Sequence, residues 1–239
     1  MHKITLFTLS LFCLISAAYA QDKLLTSKGE VQIHVVGHAS LYLNVNGTII
    51  HIDPWSRVAN YDSLPAADLI LITHQHRDHL DTIALKAITK PETYMIIAPV
   101  CLDHFRPAAA YETISNNQKT SWKGIEIESV AAYNLVHMRP NGQPYHPKGE
   151  GNGYVINIGG KRIYVAGDTE NIPEMEQLGT IDVAFLPVNL PFTMTPEMLA
   201  DAVLKVNPAV VYPYHYGQTN LERVQQLIRE VSAAEIRIR

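Results

Sequence analysis

Residues 68–79 read DLILITHQHRDH, an apolar run that ends in three histidines and an aspartate. The run DLILIT is typical of a buried strand. The ligand-type residues that follow it are His74, His76, Asp78 and His79. Imidazole and carboxylate are preferred ligands of zinc and related ions. The stretch therefore predicts a metal centre where a strand ends, although a solvated surface loop could carry the same residues.

Two later strand-like runs also end in ligand-type side chains. KRIYVAG leads to Asp168, and AVVYPY leads to His215. Imidazoles two residues apart at a strand end can face one ion, while the pair Asp78 and His79 can serve a neighbouring ion and Asp168 can bridge the two. Because a catalytic zinc keeps one coordination position open for water, this pattern favours hydrolysis.

Apolar alternation bounded by turn residues recurs along the chain, and the order of the runs repeats. Residues 29–54 resemble residues 124–134 followed by residues 153–168. This alignment matches Asp53 with Asp168, and His38 roughly with Asn134. Helical patterns occupy residues 79–90, 195–206 and 220–233, where Asp81 and Thr195 can cap the first two starts. The sequence thus predicts an α+β fold of two similar halves, sheet packed on sheet with helices outside.

The first 20 residues have the composition of a secretory signal peptide. Lys3 precedes an apolar stretch at residues 4–15, and Ala18 and Ala20 suit cleavage after residue 20. The stretch is shorter than the roughly 20 residues of a spanning helix, so no stable membrane anchor is expected. We expect a periplasmic or secreted protein whose mature domain is residues 21–239.

Charge and cysteine content narrow the function classes. The mature chain keeps 18 basic and 23 acidic side chains, with no basic patch, so no nucleic-acid partner is expected. Cleavage removes Cys13 and leaves Cys101 alone, which excludes an internal disulfide. A small-molecule substrate is the expected partner, and the sequence leaves the oligomeric state open.

The motif THQHRDH matches the T-H-x-H-x-D-H signature of the metallo-β-lactamase superfamily. The resemblance spans roughly residues 31–216, because GDT at 167–169 and PYHY at 213–216 are similar to its later motifs in the right order. It implies a four-layer αββα sandwich. Further motifs resemble the branch of metal-dependent hydrolases related to ascorbate-phosphate lactonase-like and N-acyl-phosphatidylethanolamine phospholipase D-like proteins: GHAS at 37–40, IDPW at 52–55 and HPKGEGNGYVI at 146–156.

The resemblance also implies a ligand set and an activity. His74 and His76 would hold the first metal, Asp78, His79 and His215 the second, and Asp168 both. One or two zinc ions are expected, with manganese or iron as alternatives. Metal-activated water would attack an ester, lactone, amide or phosphodiester.

Two residues are candidates for a direct catalytic role. Asp78 could hold the attacking water or accept its proton if the metal occupancy is incomplete. His38 in GHAS either orients water or substrate beside the metals or is a satisfied core histidine.

One position departs from the family pattern. A further histidine is expected at the end of the run ESVAAYN, where Asn134 stands. His146, His137 or water could substitute. We predict that His146 lies near the cleft and that the first site is labile or incomplete, with one ion bound tightly and the second weakly.

Other chemistry-bearing residues suggest structural roles. His51 is expected to be structural, and Asp53 and Pro54 to shape a turn near the cleft. His104 is expected to lie at the surface or at a helix start, and Cys101 to be buried and inert. The loop at residues 139–153 is predicted to form part of the cleft wall.

Two rival functions remain at this point. A nuclease-type member is disfavoured by export, by acidic balance and by the 47 positions between Asp168 and His215, which leave no room for a large inserted domain. A non-catalytic metal-binding or sensing protein is the second.

Overall fold

The computed structural model describes residues 21–239, which form two mixed sheets with three α-helices on their outer faces. The predicted signal peptide, residues 1–20, lies outside the described residues. Within 21–239, no helix is long and apolar enough to cross a membrane.

The two sheets have the same topology. The first contains β1 (Gln21–Thr26), β2 (Gly29–Gly37), β3 (Ser40–Val45), β4 (Thr48–Ile52), β5 (Ala67–Ile72), β6 (Thr89–Ile97) and β7 (Ala110–Thr113). The second contains β8 (Lys119–Trp122), β9 (Ile125–Ala132), β10 (Gly151–Ile158), β11 (Lys161–Val165), β12 (Val183–Pro187), β13 (Val210–Tyr214) and β14 (Glu235–Ile236). In each sheet the first four strands pair antiparallel and the later ones join in parallel. The predicted repeat of two similar halves is confirmed.

Two of the three helices begin at the predicted caps, Asp81 and Thr195. Helix α1 (Thr82–Ile88) starts after Asp81, whose side chain accepts a hydrogen bond from the Ile83 amide. Helix α2 (Pro196–Val206) starts after Thr195, and α3 (Leu221–Val231) starts after Asn220. Helix α1 is shorter than the predicted 79–90, because the chain from residue 89 onward pairs with β5 as strand β6.

Three apolar clusters lie between the four layers of the fold, which are the two sheets and the helices on each side. The largest lies between the sheets and includes Leu43, Ile50, Leu71, Ile156 and Phe185. A second joins the outer face of the first sheet to α1, and a third joins the outer face of the second sheet to α2 and α3. This arrangement confirms the αββα sandwich.

The ends of the parallel strands face one edge of the sandwich. Strands β5, β11 and β13 lead at this edge to His74, Asp168 and His215. Gly167 has a φ of +67°, and a Cβ there would lie 2.6 Å from the carbonyl oxygen of Asn152. Glycine is therefore required for the tight turn that places Asp168 at the edge.

Candidate metal centre

The predicted ligands meet at this edge in two adjacent clusters. The first cluster contains His74, His76, His146 and Asp168, and the second contains His38, Asp78, His79 and His215. Within each cluster, one ligand atom of every residue lies within 4.8 Å of the others. The structure thus brings together all six predicted metal ligands and adds His38 and His146.

The donor atoms of the first cluster converge on one point. His76 Nδ1 lies 3.0 Å from His74 Nε2 and 3.2 Å from His146 Nε2. Asp168 Oδ2 lies 3.4 Å from His146 Nε2 and 4.0 Å from His74 Nε2. Ligands about 2.0–2.1 Å from an ion in a tetrahedron lie roughly 3.3–3.4 Å from each other. Three nitrogens and one carboxylate oxygen therefore fit a zinc-like ion.

The second cluster surrounds the carboxylate of Asp78. Its Oδ2 lies 2.9 Å from His38 Nε2, 3.4 Å from His215 Nε2 and 3.8 Å from His79 Nε2. Asp168 closes the cluster from the other side, with Oδ1 3.3 Å from His79 Nε2 and Oδ2 3.5 Å from His215 Nε2. Asp168 therefore faces both clusters, in the position predicted for a bridging ligand.

Several of these atoms are buried without a hydrogen-bond partner among residues 21–239. They are His79 Nε2, His215 Nε2 and Asp168 Oδ1. Leaving a polar atom buried and unsatisfied costs about 1–3 kcal/mol. All three atoms border the second cluster, since His79 Nε2 lies 3.3 Å from Asp168 Oδ1 and His215 Nε2 lies 3.4 Å from Asp78 Oδ2. A divalent cation there would satisfy all three atoms, so the residues present fit a metal.

Protonation states in the first cluster suit metal binding. Burial lowers the pKa of His74 well below its usual value and that of His146 to about 4. Burial alone would raise the pKa of Asp168, but the neighbouring His215 and His79 hold it well below its usual range. Neutral imidazoles and an ionised carboxylate at neutral pH are the forms that ligate a cation.

The ligand histidines His74 and His79, which face the clusters through Nε2, are each held by a partner at Nδ1. His79 Nδ1 donates to Asp53 Oδ2 at 2.8 Å, since a carboxylate only accepts. His74 Nδ1 lies 3.0 Å from Thr73 Oγ1, which donates its own proton to Asp53 Oδ2 at 2.7 Å. These hydrogen bonds select the tautomer in which Nε2 is free for a metal.

Asp53 does more than shape a turn, which corrects the sequence-based interpretation. It is fully buried, has a φ of +45°, and also accepts the Thr73 amide at Oδ1. Burial would lower the pKa of His79, but Asp168 and Asp53 raise it well above its usual value. The surroundings of His79 therefore favour a positive charge, which a metal ion at Nε2 also supplies.

The predicted gap in the first site is absent, because His146 supplies the third nitrogen. Asn134 lies behind it: its Oδ1 accepts hydrogen bonds from the His146 amide at 2.8 Å and from His146 Nδ1 at 2.9 Å. Asn134 Nδ2 donates to Glu170 Oε1 and to the Phe192 carbonyl. The first site is therefore complete rather than incomplete, with His146 as the substitute ligand and Asn134 as a positioning residue. The difference in affinity between the two ions stays a prediction.

Replacing Asn134 should weaken the first site selectively. We expect Asn134→Ala to lower the affinity of one of the two ions by roughly 10–100-fold, since loss of a hydrogen bond to a ligand histidine has this effect. Metal titration of the chelated protein would measure it. Asn157→Ala, whose amide bonds Glu126 on the second sheet, is the control. Equal weakening of both ions would contradict the assigned role.

Glu170 was not anticipated from the sequence. Its buried carboxylate accepts the backbone amides of Leu135, Val136 and His137 and lies 2.6 Å from His137 Nδ1. His137 is thereby placed outside both clusters. No local pattern indicates this role, because Glu170 and residues 135–137 lie far apart in the chain.

His38 is part of the second cluster and does not lie in the apolar core. Its ring centroid is 3.7 Å from that of His215 and 4.6 Å from that of Trp55. Its carbonyl accepts the His215 amide at 2.9 Å, and both residues have positive φ, 54° and 49°. Strained backbone held on both sides of a site is a feature of functional centres.

The remaining predicted residues take structural positions. His51 is buried, with Nε2 2.9 Å from the Pro65 carbonyl, and His104 is exposed. Cys101 is buried, and burial raises the pKa of its thiol to about 12, so the thiol is unreactive at neutral pH.

A cavity of about 310 Å³ opens onto both clusters. Its floor includes His76, Asp78, His146, Asp168 and His215, and its walls include Arg139, Tyr145, Asn189 and Phe192. Two of the wall residues belong to the loop at 139–153, as predicted. Lys148, from the same loop, does not line this cavity and pairs with Glu174 at 2.8 Å. The metal centre is thus accessible to a small molecule.

Comparison with known proteins identifies the family. The beta-lactamase superfamily domain matches residues 32–215. The chain is 32% identical to a UPF0173 metal-dependent hydrolase of Anaeromyxobacter sp. (strain K), covering 83% of this chain and 78% of that protein. It is 34% identical to a UPF0173 metal-dependent hydrolase of Pyrococcus furiosus, covering 78% and 85%.

A solved structure supports the same assignment. A proposed metal-dependent hydrolase from Parabacteroides distasonis superposes with a TM-score of 0.86 at 38% identity, covering 93% of this chain and 99% of that one. Sequence, fold and clustered ligands agree. The chain therefore belongs to the metallo-β-lactamase superfamily and is a metal-dependent hydrolase.

Proposed function

We propose that the protein is an exported hydrolase that binds two zinc ions and cleaves an ester, lactone, amide or phosphodiester bond of a small molecule. The observation that carries this proposal is the position of Asp168 between two four-donor clusters that share one cavity. Paired metal sites of this kind suit hydrolysis because both the attacking and the leaving oxygen can be stabilised.

The side chains of the site have distinct tasks in this proposal. When bound, divalent ions lower the pKa of water toward about 7 and polarise the scissile bond. The Asp78 side chain is 32% exposed, so its carboxylate can hold the attacking water through a hydrogen bond, and it would accept the proton of that water only if metal occupancy is incomplete. His38 Nε2 donates to Asp78 Oδ2 and orients the carboxylate, so the four donors of the second ion would be Asp78, His79, His215 and Asp168. The half-enclosed cavity limits the water around the reacting bond.

The donor set favours zinc over harder cations. Three nitrogens and one carboxylate in the first cluster match the zinc preference, whereas magnesium and calcium prefer all-oxygen shells. Manganese and iron bind similar histidine and carboxylate sets and are the alternatives.

Export rests on the first 20 residues. The basic start, the apolar stretch and the small residues at 18 and 20 support cleavage before Gln21. In this proposal the mature enzyme acts in the periplasm or outside the cell. Its acidic balance supports a small-molecule substrate over a nucleic acid.

A panel of chromogenic substrates tests the activity. Mature protein loaded with zinc is assayed against esters, lactones, anilides, phosphodiesters and a cephalosporin, and again after chelation. We expect metal-dependent turnover of at least one class. His76→Ala should remove it, whereas His104→Ala, an exposed histidine outside both clusters, should not.

If protein with both ions bound turns over no substrate of the panel, the result would contradict catalysis and favour a metal-binding or sensing protein. Turnover that survives both chelation and His76→Ala would place the chemistry elsewhere in the molecule.

A further inference from the structure

Arg139 is the one lysine or arginine among the described residues that line the metal-site cavity. It projects from the loop that also supplies the cavity residues Tyr145 and His146. Because the other charged wall and floor residues are ligands of the two clusters, Arg139 is free to contact substrate rather than metal.

The guanidinium of Arg139 keeps most of its hydrogen-bonding capacity. Its Nη2 donates to the Tyr145 carbonyl at 3.0 Å, and its carbon lies 5.1 Å from the centre of the Tyr145 ring. Within residues 21–239 it forms no ion pair with a carboxylate. A guanidinium has five N–H donors, so most of them remain available to an anion.

The backbone around Arg139 is tied in place. Its amide donates to the Gln143 carbonyl at 2.7 Å, and its carbonyl accepts the Gly142 amide at 2.9 Å. Met138 and Pro144 form an isolated β-bridge across the same turn. The guanidinium is therefore carried by a closed loop that leads to the cavity residues Tyr145 and His146, of which His146 belongs to the first cluster.

An apolar wall lies beside this charge. Tyr145 and Phe192 meet edge to face, with ring centroids 5.1 Å apart, and both line the cavity. With two divalent ions bound, their four positive charges would exceed the two negative charges of Asp78 and Asp168, so the cavity would also carry a net positive charge. The surroundings suit a substrate with a compact apolar part and one anionic group.

We propose that Arg139, supported by Tyr145, forms a subsite for an anionic group of the substrate, a carboxylate or a phosphate. The proposal rests on the hydrolase function and narrows its substrate class. A guanidinium binds either anion through two parallel hydrogen bonds, which would hold the scissile bond over the clusters.

Matched esters test the subsite. The zinc-loaded mature protein is assayed with 4-nitrophenyl acetate and the 4-nitrophenyl monoester of glutaric acid, which share a leaving group and differ in charge. Arg139→Gln should lower kcat/KM for the glutarate ester by roughly 10–100-fold, mainly through KM, because a charged hydrogen bond is lost. The acetate ester should change little.

Lys148→Gln is the control, since it removes a positive charge from the same loop but outside the cavity. It should leave both esters unchanged. An equal effect of Arg139→Gln on both esters, or equal effects of the two variants, would overturn the proposal.

Calorimetry with glutarate and with inorganic phosphate distinguishes the two anions and does not require turnover. The subsite is supported if Arg139→Gln weakens the binding of either anion at least roughly 10-fold and Lys148→Gln does not. The anion whose affinity falls more then identifies the anionic group that the subsite prefers. Binding that is absent or insensitive to Arg139 overturns it. Arg139-dependent binding without turnover of any substrate class in the chromogenic panel would contradict the hydrolase function alone.

Discussion

Asp168→Ala should abolish hydrolysis and leave the fold intact. Its carboxylate faces both clusters, with Oδ2 3.4 Å from His146 Nε2 and Oδ1 3.3 Å from His79 Nε2. Its removal deprives each ion of a ligand and leaves His79 and His215 facing an empty space. We expect turnover to fall at least roughly 10²–10³-fold, and the metal content to fall from two ions per chain to one or fewer.

Elemental analysis and circular dichroism of the variant would measure both effects. Asp201→Ala is the control, because Asp201 is an exposed carboxylate paired with Lys205 outside the site. Full metal content and wild-type turnover in Asp168→Ala would contradict the bridging role of Asp168. If Asp168→Ala does not fold, the same measurements are made on Asp168→Asn, which keeps the side-chain volume.

Asp53→Ala should have the largest effect on stability. Asp53 is fully buried and accepts hydrogen bonds from His79 Nδ1, Thr73 Oγ1 and the Thr73 amide. Removing one partner of a buried ion pair costs about 3–5 kcal/mol. We expect the free energy of unfolding of the metal-free protein to fall by this amount in urea denaturation.

The same substitution should weaken the second metal site. His79 would lose the carboxylate that orients its ring, which typically lowers metal affinity by roughly 10–100-fold. Asp53→Asn keeps an acceptor but loses the charge, so it should fall between wild type and Asp53→Ala in both measurements. A metal titration in which Asp53→Ala binds both ions as tightly as wild type would refute the orienting role.

The sequence predicted the part of the site that depends on strand ends. Apolar runs and turn residues placed β5, β11 and β13 correctly, and their following residues His74, Asp168 and His215 meet at one edge. Parallel strands bring their carboxyl ends together, so ligands that follow them are found from pattern alone. The repeated halves were found for the same reason, because matching runs produced matching strands.

Loop-supplied residues could not be placed in this way. Asn134 follows β9 at the position where a ligand was expected, but its side chain turns to His146 and lets that loop residue ligate instead. Asp53 and Glu170 act through hydrogen bonds to residues 20 or more positions away. Such contacts depend on how loops pack, and no spacing in the sequence encodes them.

The number of metal ions per chain tests the account most directly. Elemental mass spectrometry of a protein of residues 21–239, purified without chelator or metal-affinity resin, should give two transition-metal ions per chain, with zinc as the expected metal. One ion per chain after saturation with zinc would contradict the two-cluster centre. Protein that takes up no metal on reconstitution would contradict the metal site altogether.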